Sequence, residues 1–249
     1  MKERLTDARF QAARARVLGE EQERQGIGTL GEKTLHRMLK LTVEPNEACH
    51  EIKACGRVAD VVLGEDIVEI QTRSLSKLSP KLATFLPERH VTLIYPLPNE
   101  KYIRWLDPVT GELGERRKSP KHASVFDSIV ELCRLGEHLT HANLTVCLVF
   151  LNMEEYRYLN GWSADRKRGS ERLERMANRL CDVVCLSTPQ DYRRVFLPTA
   201  LGDAFTVKDY ARLTRLKPRW AYAAIRLLER LGIVTHADTR GREHVYAPT

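Results

Sequence analysis

The stretch VADVVLGEDIVEIQTRS (58–74) places acidic residues inside two runs that otherwise have the composition of buried strands. Short valine- and isoleucine-rich runs on either side of a turn-forming Gly-Glu-Asp are typical of two strands joined by a hairpin. Asp60 lies within the first run and Glu69 within the second, and Gln71 follows two residues later. Because side chains alternate along a strand, Glu69 and Gln71 share one face and their apolar neighbours occupy the other. The stretch therefore predicts a hairpin with a polar face and a core face.

The segments around this hairpin predict one sheet with helices beside it. Leu35, Met38, Leu39 and Val43 recur at the spacing of one helix face. One more short extended run precedes the hairpin, and a helix and a strongly apolar strand follow it. The predicted elements in chain order are a leading helix at 6–18, a helix at 32–43, strands at 49–54, 57–64 and 66–72, a helix at 74–86 and a strand at 90–97.

The middle of the chain predicts additions to the same sheet. Proline and glycine in DPVTGE supply turn dihedrals, so residues 101–122 predict a hairpin that ends in a basic run. The arginine-rich segment 160–180 is compatible either with a mobile loop followed by a helix or with an insertion that faces the substrate. The other elements predicted here are a helix at 124–135, a buried strand at 144–153, a short strand at 181–187 and a short helix at 189–198.

From residue 199 the pattern changes to two helices and a hairpin. A short helix from Val207, a turn at TRLKP, a helix from Arg219 to Leu231 and an antiparallel pair that turns at ADTRGRE follow in order, and Pro218 suits a helix start. This succession resembles a winged helix-turn-helix over residues 199–249. The resemblance implies that the second helix docks in the DNA major groove while the hairpin touches the flank, although such modules also serve as protein-interaction domains. The candidate nucleic-acid-binding residues here are Arg215, Lys217, Arg219, Arg240 and Arg242.

The composition narrows the class of protein. The 249 residues are 43% hydrophobic and 29% charged, which is ordinary for a globular chain that buries a core. A formal net charge of +7 favours an anionic partner, and nucleic acid is the first candidate. The chain lacks both an apolar run of membrane-spanning length and a secretory signal, so we expect a cytoplasmic protein. Six cysteines without CxxC spacing favour buried reduced thiols over zinc ligands or disulfides.

Two carboxylates that converge on one side of a hairpin can hold a hard divalent cation. Mg2+ prefers oxygen ligands and usually takes one or two protein carboxylates, with water and phosphate in its remaining positions. A side chain two residues after the second acid can then position the attacking water or contact the scissile phosphate. Asp60, Glu69 and Gln71 have this arrangement.

These residues carry a resemblance to a known group of enzymes. An acid in one strand, a short hairpin and then acid-x-Lys is the signature of the PD-(D/E)XK nuclease superfamily, and Asp60 followed by EIQ (69–71) resembles its Glu-x-Gln variant. The resemblance covers roughly residues 26–97, where the element order matches that of the superfamily core. It implies an α/β, restriction endonuclease-like mixed central sheet flanked by helices. It also implies Mg2+ or Mn2+ bound by Asp60 and Glu69, with Glu32 of the preceding helix as a further ligand.

The sequence departs from the superfamily pattern at two positions. Ala59 stands where the motif has proline, which is common in the superfamily. Gln71 stands where the motif usually has lysine, so the positive charge that activates water or stabilises the phosphate is weakened or comes from another residue. Arg73, Lys77 and Lys81 are the candidates for that charge.

Each candidate residue also has a purely structural alternative. Asp60 could form an ion pair with Arg57 or Arg73, and Glu69 could lie on an exposed hairpin face. Glu32 could instead interact with the dipole at its helix start. We expect structural roles for His36, which shares a helix face with Glu32, and for His50. We expect solvated loops, although they would suit a phosphate backbone, at Arg116, Arg117, Lys118, Lys121, Arg166, Lys167 and Arg168.

Together these features predict a two-domain enzyme that acts on DNA. The expected organisation is an amino-terminal helix at 1–25, a nuclease-like domain at 26–198 and a winged helix at 199–249. Asp60 and Glu69 would bind the metal with help from Glu32, Gln71 would orient the nucleophile, and Arg73 and Lys77 would contact nucleic acid. The alternatives are RNA as the substrate, or a non-catalytic DNA-binding regulator whose degenerate nuclease-like domain serves dimerisation or ligand sensing. An uncharacterised bacterial family that the whole chain also resembles implies no activity, and assembly into a homodimer stays open.

Overall fold

The structure is a computed structural model that describes residues 1–23, 32–120, 122–159 and 172–249. Short 3-10 helices precede several of its longer elements. The helices are α1 (Asp7–Glu23), α2 (Glu32–Val43), α3 (Ser79–Phe85), α4 (Ile129–Cys133), α5 (Pro189–Phe196), α6 (Val207–Thr214) and α7 (Pro218–Arg230). The strands are β1 (His50–Ala54), β2 (Arg57–Leu63), β3 (Asp66–Ile70), β4 (Val91–Leu106), β5 (Arg117–Lys118), β6 (Leu144–Tyr158), β7 (Arg172–Leu186), β8 (Phe205–Thr206), β9 (Val234–Arg240) and β10 (Glu243–Pro248).

The central sheet is mixed, with strands in the order β1-β2-β3-β4-β6-β7 and β5 paired to the outer half of β4. Strands β3, β4 and β6 run parallel in its middle. The pairs β1-β2, β2-β3 and β6-β7 are antiparallel. Parallel neighbours need a crossover between them, and α3 and α4 lie in these crossovers. The chain is therefore a mixed α/β protein with a central sheet flanked by helices.

Two apolar layers hold the sheet between helices. On one face α1 and α2 bury side chains such as Phe10 and Met38 against Val149 of β6. On the other face α3 and α5 bury Phe85 and Phe196 in a second cluster with residues of β4 and β6. Because both faces of β4 and β6 are covered, their first halves are continuous apolar runs, as is usual for buried parallel strands.

Around the acidic hairpin the predicted elements are confirmed. Helix α2 spans residues 32–43 as predicted, and its predicted apolar face is buried. Strands β1, β2 and β3 and then α3 follow in the predicted order. Strands β4 and β6 begin as predicted but run on to Leu106 and Tyr158, because they pair with each other along their polar second halves as well.

The second half of the predicted insertion is a strand. A helix after the loop at 160–180 is wrong, because β7 begins at Arg172 and forms an antiparallel ladder with β6. The predicted short strand at 181–187 is the end of β7. Cross-strand hydrogen bonds over this length outweigh the weak local preference of an arginine-rich segment. Arg117 and Lys118, expected in a solvated loop, are exposed as expected but form the short strand β5. Four other basic residues expected in loops lie outside the described residues: Lys121, Arg166, Lys167 and Arg168.

The cysteine prediction is wrong for one pair. Cys147 of β6 and Cys185 of β7 are joined by a disulfide bond. They are direct partners in the antiparallel ladder, with a Cα–Cα distance of 4.2 Å, so the pairing of β6 with β7 brings the two sulfurs together. Sequence spacing contained no sign of this contact, because the two residues are 38 positions apart. The thiols of Cys49, Cys55, Cys133 and Cys181 are free.

The carboxy-terminal residues form a three-stranded sheet with two helices. Helices α6 and α7 and the β9-β10 hairpin confirm the predicted order of elements, and β8 adds a third strand. The hairpin turns at Gly241, whose φ of 63° favours glycine. The buried face of α7, which includes Ala221, Ala224, Ile225 and Leu228, joins the apolar layer that contains α4. The apolar core is thus continuous across the predicted domain division.

Among the described residues, no helix combines the length and the apolar character needed to cross a membrane.

Candidate active site

Asp60 of β2 and Glu69 of β3 lie one residue beyond the last ladder pair of the two strands, Val61–Val68. At this point backbone-to-side-chain hydrogen bonds connect the two strands. The backbone N–H of Asp60 donates to Glu69 Oε1 at 3.2 Å, and the N–H of Ile70 donates to Asp60 Oδ2 at 2.8 Å. Each carboxylate is therefore held by the main chain of the facing strand, and the two predicted acids converge.

His36 of α2 is the ionisable partner of Asp60. Its Nε2 donates to Asp60 Oδ2 at 3.1 Å, and the Asp60 side chain is 16% exposed. Burial raises the pKa of Asp60, but the hydrogen bonds from His36 and from the Ile70 N–H outweigh burial and bring the pKa below its ordinary value. Asp60 is therefore ionised at neutral pH.

Glu69 is buried and bound by a lysine. Its side chain is 1% exposed, and Lys81 Nζ of α3 donates to Oε2 at 2.8 Å and to Oε1 at 3.1 Å. Burial and then the negative charge of Asp60 raise the pKa of Glu69 to about 7, although Lys81 acts in the opposite direction. The alternative of an exposed hairpin position for Glu69 is wrong, because Lys81 and its helix cover this face of β3.

The contacts of Asp60 bear on one of its two suggested arginine partners. Within the described residues Asp60 pairs with His36 and not with Arg57, whose Nε donates to Thr84 Oγ1 at 2.9 Å. The expected structural role is correct for His50, whose Nε2 bonds to the carbonyl of Glu44 at 2.7 Å. For His36, the expectation of a structural role did not include its hydrogen bond to Asp60.

Gln71 and Glu32 border the two acids differently. Strand β3 ends at Ile70, so Gln71 is the first residue after it, and its N–H continues the ladder to the Ile94 carbonyl at 3.0 Å. The Gln71 side-chain oxygen accepts from the Arg73 N–H at 3.3 Å. Glu32 is the first residue of α2, one turn before His36, and its side chain lies outside the described part of the chain.

A cleft of about 770 Å³ opens beside these residues. His36, which bonds to Asp60, and Gln71, two residues after Glu69, contribute to its wall. In its wall Lys40 pairs with Glu51, and Arg37 pairs with Glu20 and Glu47. Its lining carries more lysine and arginine than acid, which favours an anionic occupant. The lining consists of His36, Arg37, Lys40, Glu47, His50, Glu51, Gln71, Thr72, Arg73 and Lys77.

The predicted nucleic-acid-binding residues fall into two groups. Arg73 and Lys77 line the cleft and are exposed. The remaining five lie on the carboxy-terminal unit, around the α6–α7 turn and the tip of the β9–β10 hairpin. The Arg219 guanidinium stacks on the Trp220 ring at 3.9 Å. All five of these side chains are exposed: Arg215, Lys217, Arg219, Arg240 and Arg242.

Two functional candidates emerge from tertiary contacts. Lys81 was one of three options for the missing positive charge, and only the packing of α3 on β3 selects it. His36 was detectable in principle, because it lies four residues after Glu32 on one helix face.

Among the described residues, no group of three or more histidine, cysteine, aspartate and glutamate side chains forms a metal cluster.

Comparisons with known proteins identify the family of this chain, and the names of the matches state no activity. A family profile described as "Domain of unknown function (DUF8091)" matches residues 33–187. A protein of Treponema pallidum (strain Nichols), named "Uncharacterized protein", is 31% identical over 229 residues, covering 88% of this chain and 86% of that protein. No solved structure matches the chain. The family match spans the central sheet with Asp60 and Glu69 and ends before α5.

Proposed function

The chain belongs to the DUF8091 domain family, and we propose that it is a metal-dependent nuclease that hydrolyses DNA phosphodiester bonds. In this proposal the central sheet is a restriction endonuclease-like PD-(D/E)XK domain in its Glu-x-Gln variant. The carboxy-terminal unit is a winged helix that holds the duplex. The observation that carries the proposal is the convergence of Asp60, Glu69 and Lys81 beside a cleft with an excess of basic side chains.

The donor set fits a hard cation such as Mg2+ or Mn2+. Asp60 is ionised, and its Oδ1 accepts no hydrogen bond within the described residues. Glu69 directs both oxygens to Lys81, so it would share them between the ammonium group and the cation. Carboxylate oxygens are the ligands that such ions prefer. A bound cation would polarise the scissile phosphate and lower the pKa of a coordinated water.

The neighbouring side chains have distinct roles in this proposal. Lys81 supplies from α3 the positive charge that Gln71 lacks, and it stabilises negative charge that develops on the phosphate. His36 positions Asp60 through its hydrogen bond. Gln71 lies in the cleft wall, where its amide orients the attacking water.

The basic surfaces match the proposed substrate. Arg73 and Lys77 belong to the cleft lining and would follow one strand of DNA. In the winged helix, Arg215, Lys217 and Arg219 surround the start of α7, the proposed recognition helix. Phosphate contacts of this kind position a duplex without reading its sequence.

The proposal is tested by cleavage of plasmid DNA, single-stranded DNA and RNA with Mg2+ or Mn2+. Wild type is expected to cut DNA, and Asp60→Asn and Glu69→Gln are expected to lose that activity. Equal cleavage by all three proteins would identify a contaminating nuclease. Preferential cleavage of RNA would support the same catalytic site but with RNA, not DNA, as its substrate.

A non-catalytic DNA-binding regulator is the second candidate, and one observation favours it. Both acids are already engaged by side chains of the protein, Asp60 by His36 and Glu69 by Lys81. Such engagement by protein side chains is what a degenerate site that serves dimerisation or ligand sensing would retain. DNA binding by wild type with no cleavage under any metal condition would support this candidate.

A further inference from the structure

The β9–β10 hairpin carries two histidines that a β-bulge brings to one face. His244 is paired with Thr239 and Tyr246 with His236, and the register shifts between these pairs. Without the shift, Ala237 would lie opposite Tyr246. The extra residue in β9 therefore moves His236 onto the face that already carries His244.

The two imidazoles are in direct contact. His244 Nδ1 lies 3.0 Å from His236 Nε2, so one ring donates a hydrogen bond and the other accepts it. Thr239 Oγ1 lies 3.1 Å from the same His236 nitrogen and 3.5 Å from His244 Nδ1. The ring of Tyr246, which is only 3% exposed, packs edge-on against His236 with centroids 6.0 Å apart. A buried side chain thus supports one imidazole, while both histidines face solvent.

The separation of the two nitrogens fits shared coordination of one metal ion. Metal–imidazole bonds are about 2.0–2.1 Å long. Two such bonds at a right angle separate the nitrogens by about 2.9 Å, and at the tetrahedral angle by about 3.3 Å. The observed 3.0 Å lies between these values. A metal ion can therefore replace the shared proton with small rotations of two exposed rings.

We propose that His236 and His244 form a binding site for a transition-metal ion that prefers imidazole, namely Cu2+, Ni2+ or Zn2+. Within the described residues no third histidine, cysteine or carboxylate completes the site, so water fills the remaining positions, with the Thr239 hydroxyl at their edge. Imidazole ligands disfavour Mg2+ and give the order Cu2+ above Ni2+ and Zn2+. The site is separate from the Asp60–Glu69 pair and does not rest on the nuclease proposal.

Calorimetric titration of chelator-stripped, full-length protein tests this site. CuCl2, NiCl2, ZnCl2 and MgCl2 are added separately. Wild type is expected to bind Cu2+ with a micromolar Kd, with Ni2+ and Zn2+ weaker and Mg2+ absent from this site. His236→Ala and His244→Ala are each expected to weaken Cu2+ binding at least tenfold. His122→Ala removes an exposed histidine outside the carboxy-terminal unit and is expected to leave this binding unchanged.

Electron paramagnetic resonance of the Cu2+ complex supplies a second measurement. Coupling to two nitrogens is expected in wild type and to fewer in each histidine variant. Melting of the metal-free variants at the wild-type temperature establishes that they are folded. Wild-type affinity in both histidine variants, or a millimolar Kd for all the ions, would show an adventitious ion only and overturn the proposal.

Discussion

Lys81 Nζ lies 2.8 Å from Glu69 Oε2, although the two residues are 12 positions apart in sequence. The signature that Glu69 otherwise resembles has its lysine two positions after the acid, where this chain has Gln71. The cation therefore reaches the carboxylate pair from α3 instead of from β3. Electrostatic stabilisation depends on where a charge lies in space, so a lysine on the covering helix can replace one on the strand.

Exchange of Lys81 for methionine is expected to reduce DNA cleavage about 100-fold or more, because the developing phosphate charge loses its cation. Folding stability should fall by about 1–3 kcal/mol, since buried Glu69 loses its partner. Gln71→Lys added to Lys81→Met should recover part of the cleavage rate by returning a positive charge to the acids. Cleavage rates and urea unfolding measure these effects.

Lys77→Met, at an exposed position, is the control for stability. Undiminished cleavage by Lys81→Met would show that Lys81 has no role in the mechanism.

The Cys147–Cys185 disulfide is expected to contribute about 3–4 kcal/mol, because it closes a loop between residues 38 apart in the unfolded chain. Reductant should lower the melting temperature of wild type and have no effect on the Cys147→Ser/Cys185→Ser double variant. Thiol titration of denatured, unreduced protein should detect the four other cysteines. Six reactive thiols would instead agree with the reduced cysteines expected from sequence.

The start of α6 is expected to contribute stability that depends on pH. The Thr206 N–H and then its hydroxyl donate to Asp209 Oδ2, at 3.0 and 2.8 Å, and they lower the pKa of Asp209 from 3.8. A carboxyl group whose pKa is lower in the folded state stabilises the fold at pH values above its unfolded-state pKa. This stabilisation is lost as the pH falls through the folded-state pKa. Thr206→Ala should therefore cost about 1 kcal/mol at pH 7. Asp209→Asn should destabilise at pH 7 and lose this effect well below pH 3.8.

Urea unfolding of these variants at neutral and acidic pH provides the measurement. Asp203→Asn, at an exposed position outside α6, is the matched control and should show little change at either pH. An Asp209→Asn variant that is equally destabilised at both pH values would contradict the assignment of the effect to a charged cap.

DNA binding through the proposed winged helix should depend steeply on salt. Each neutralised phosphate contributes about −0.9 to the slope of log affinity against log salt. Replacement of Arg215, Lys217 and Arg219 by glutamine should therefore make the slope less negative by about 2.7. Fluorescence anisotropy over a salt series measures it. Arg194→Gln, an exposed site on α5, should leave the slope unchanged, and an unchanged slope in the triple variant would place the DNA elsewhere.

The central hairpin and the carboxy-terminal helices could be predicted from sequence because their signals are local. Alternating apolar residues, a Gly-Glu-Asp turn and the 3.6-residue spacing of Leu35, Met38 and Leu39 each act within one element. The second half of β4 is the first arm of the hairpin predicted at 101–122, but the sequence did not indicate that it continues the strand at 90–97. The end of β6 could not be predicted, since its polar half resembles a loop until it pairs with β4. The first part of β7, before residue 181, was missed for the same reason.

For the candidate site, local sequence patterns are enough to predict which acids share a hairpin and that Gln71 brings no charge. Three contacts follow only from the packing of separate elements: His36 with Asp60, Lys81 with Glu69 and Cys147 with Cys185. Backbone periodicity places side chains within one strand or helix. Contacts between elements depend instead on how helices pack on the sheet. That packing results from many apolar contacts between residues far apart in sequence, which no local sequence pattern reveals.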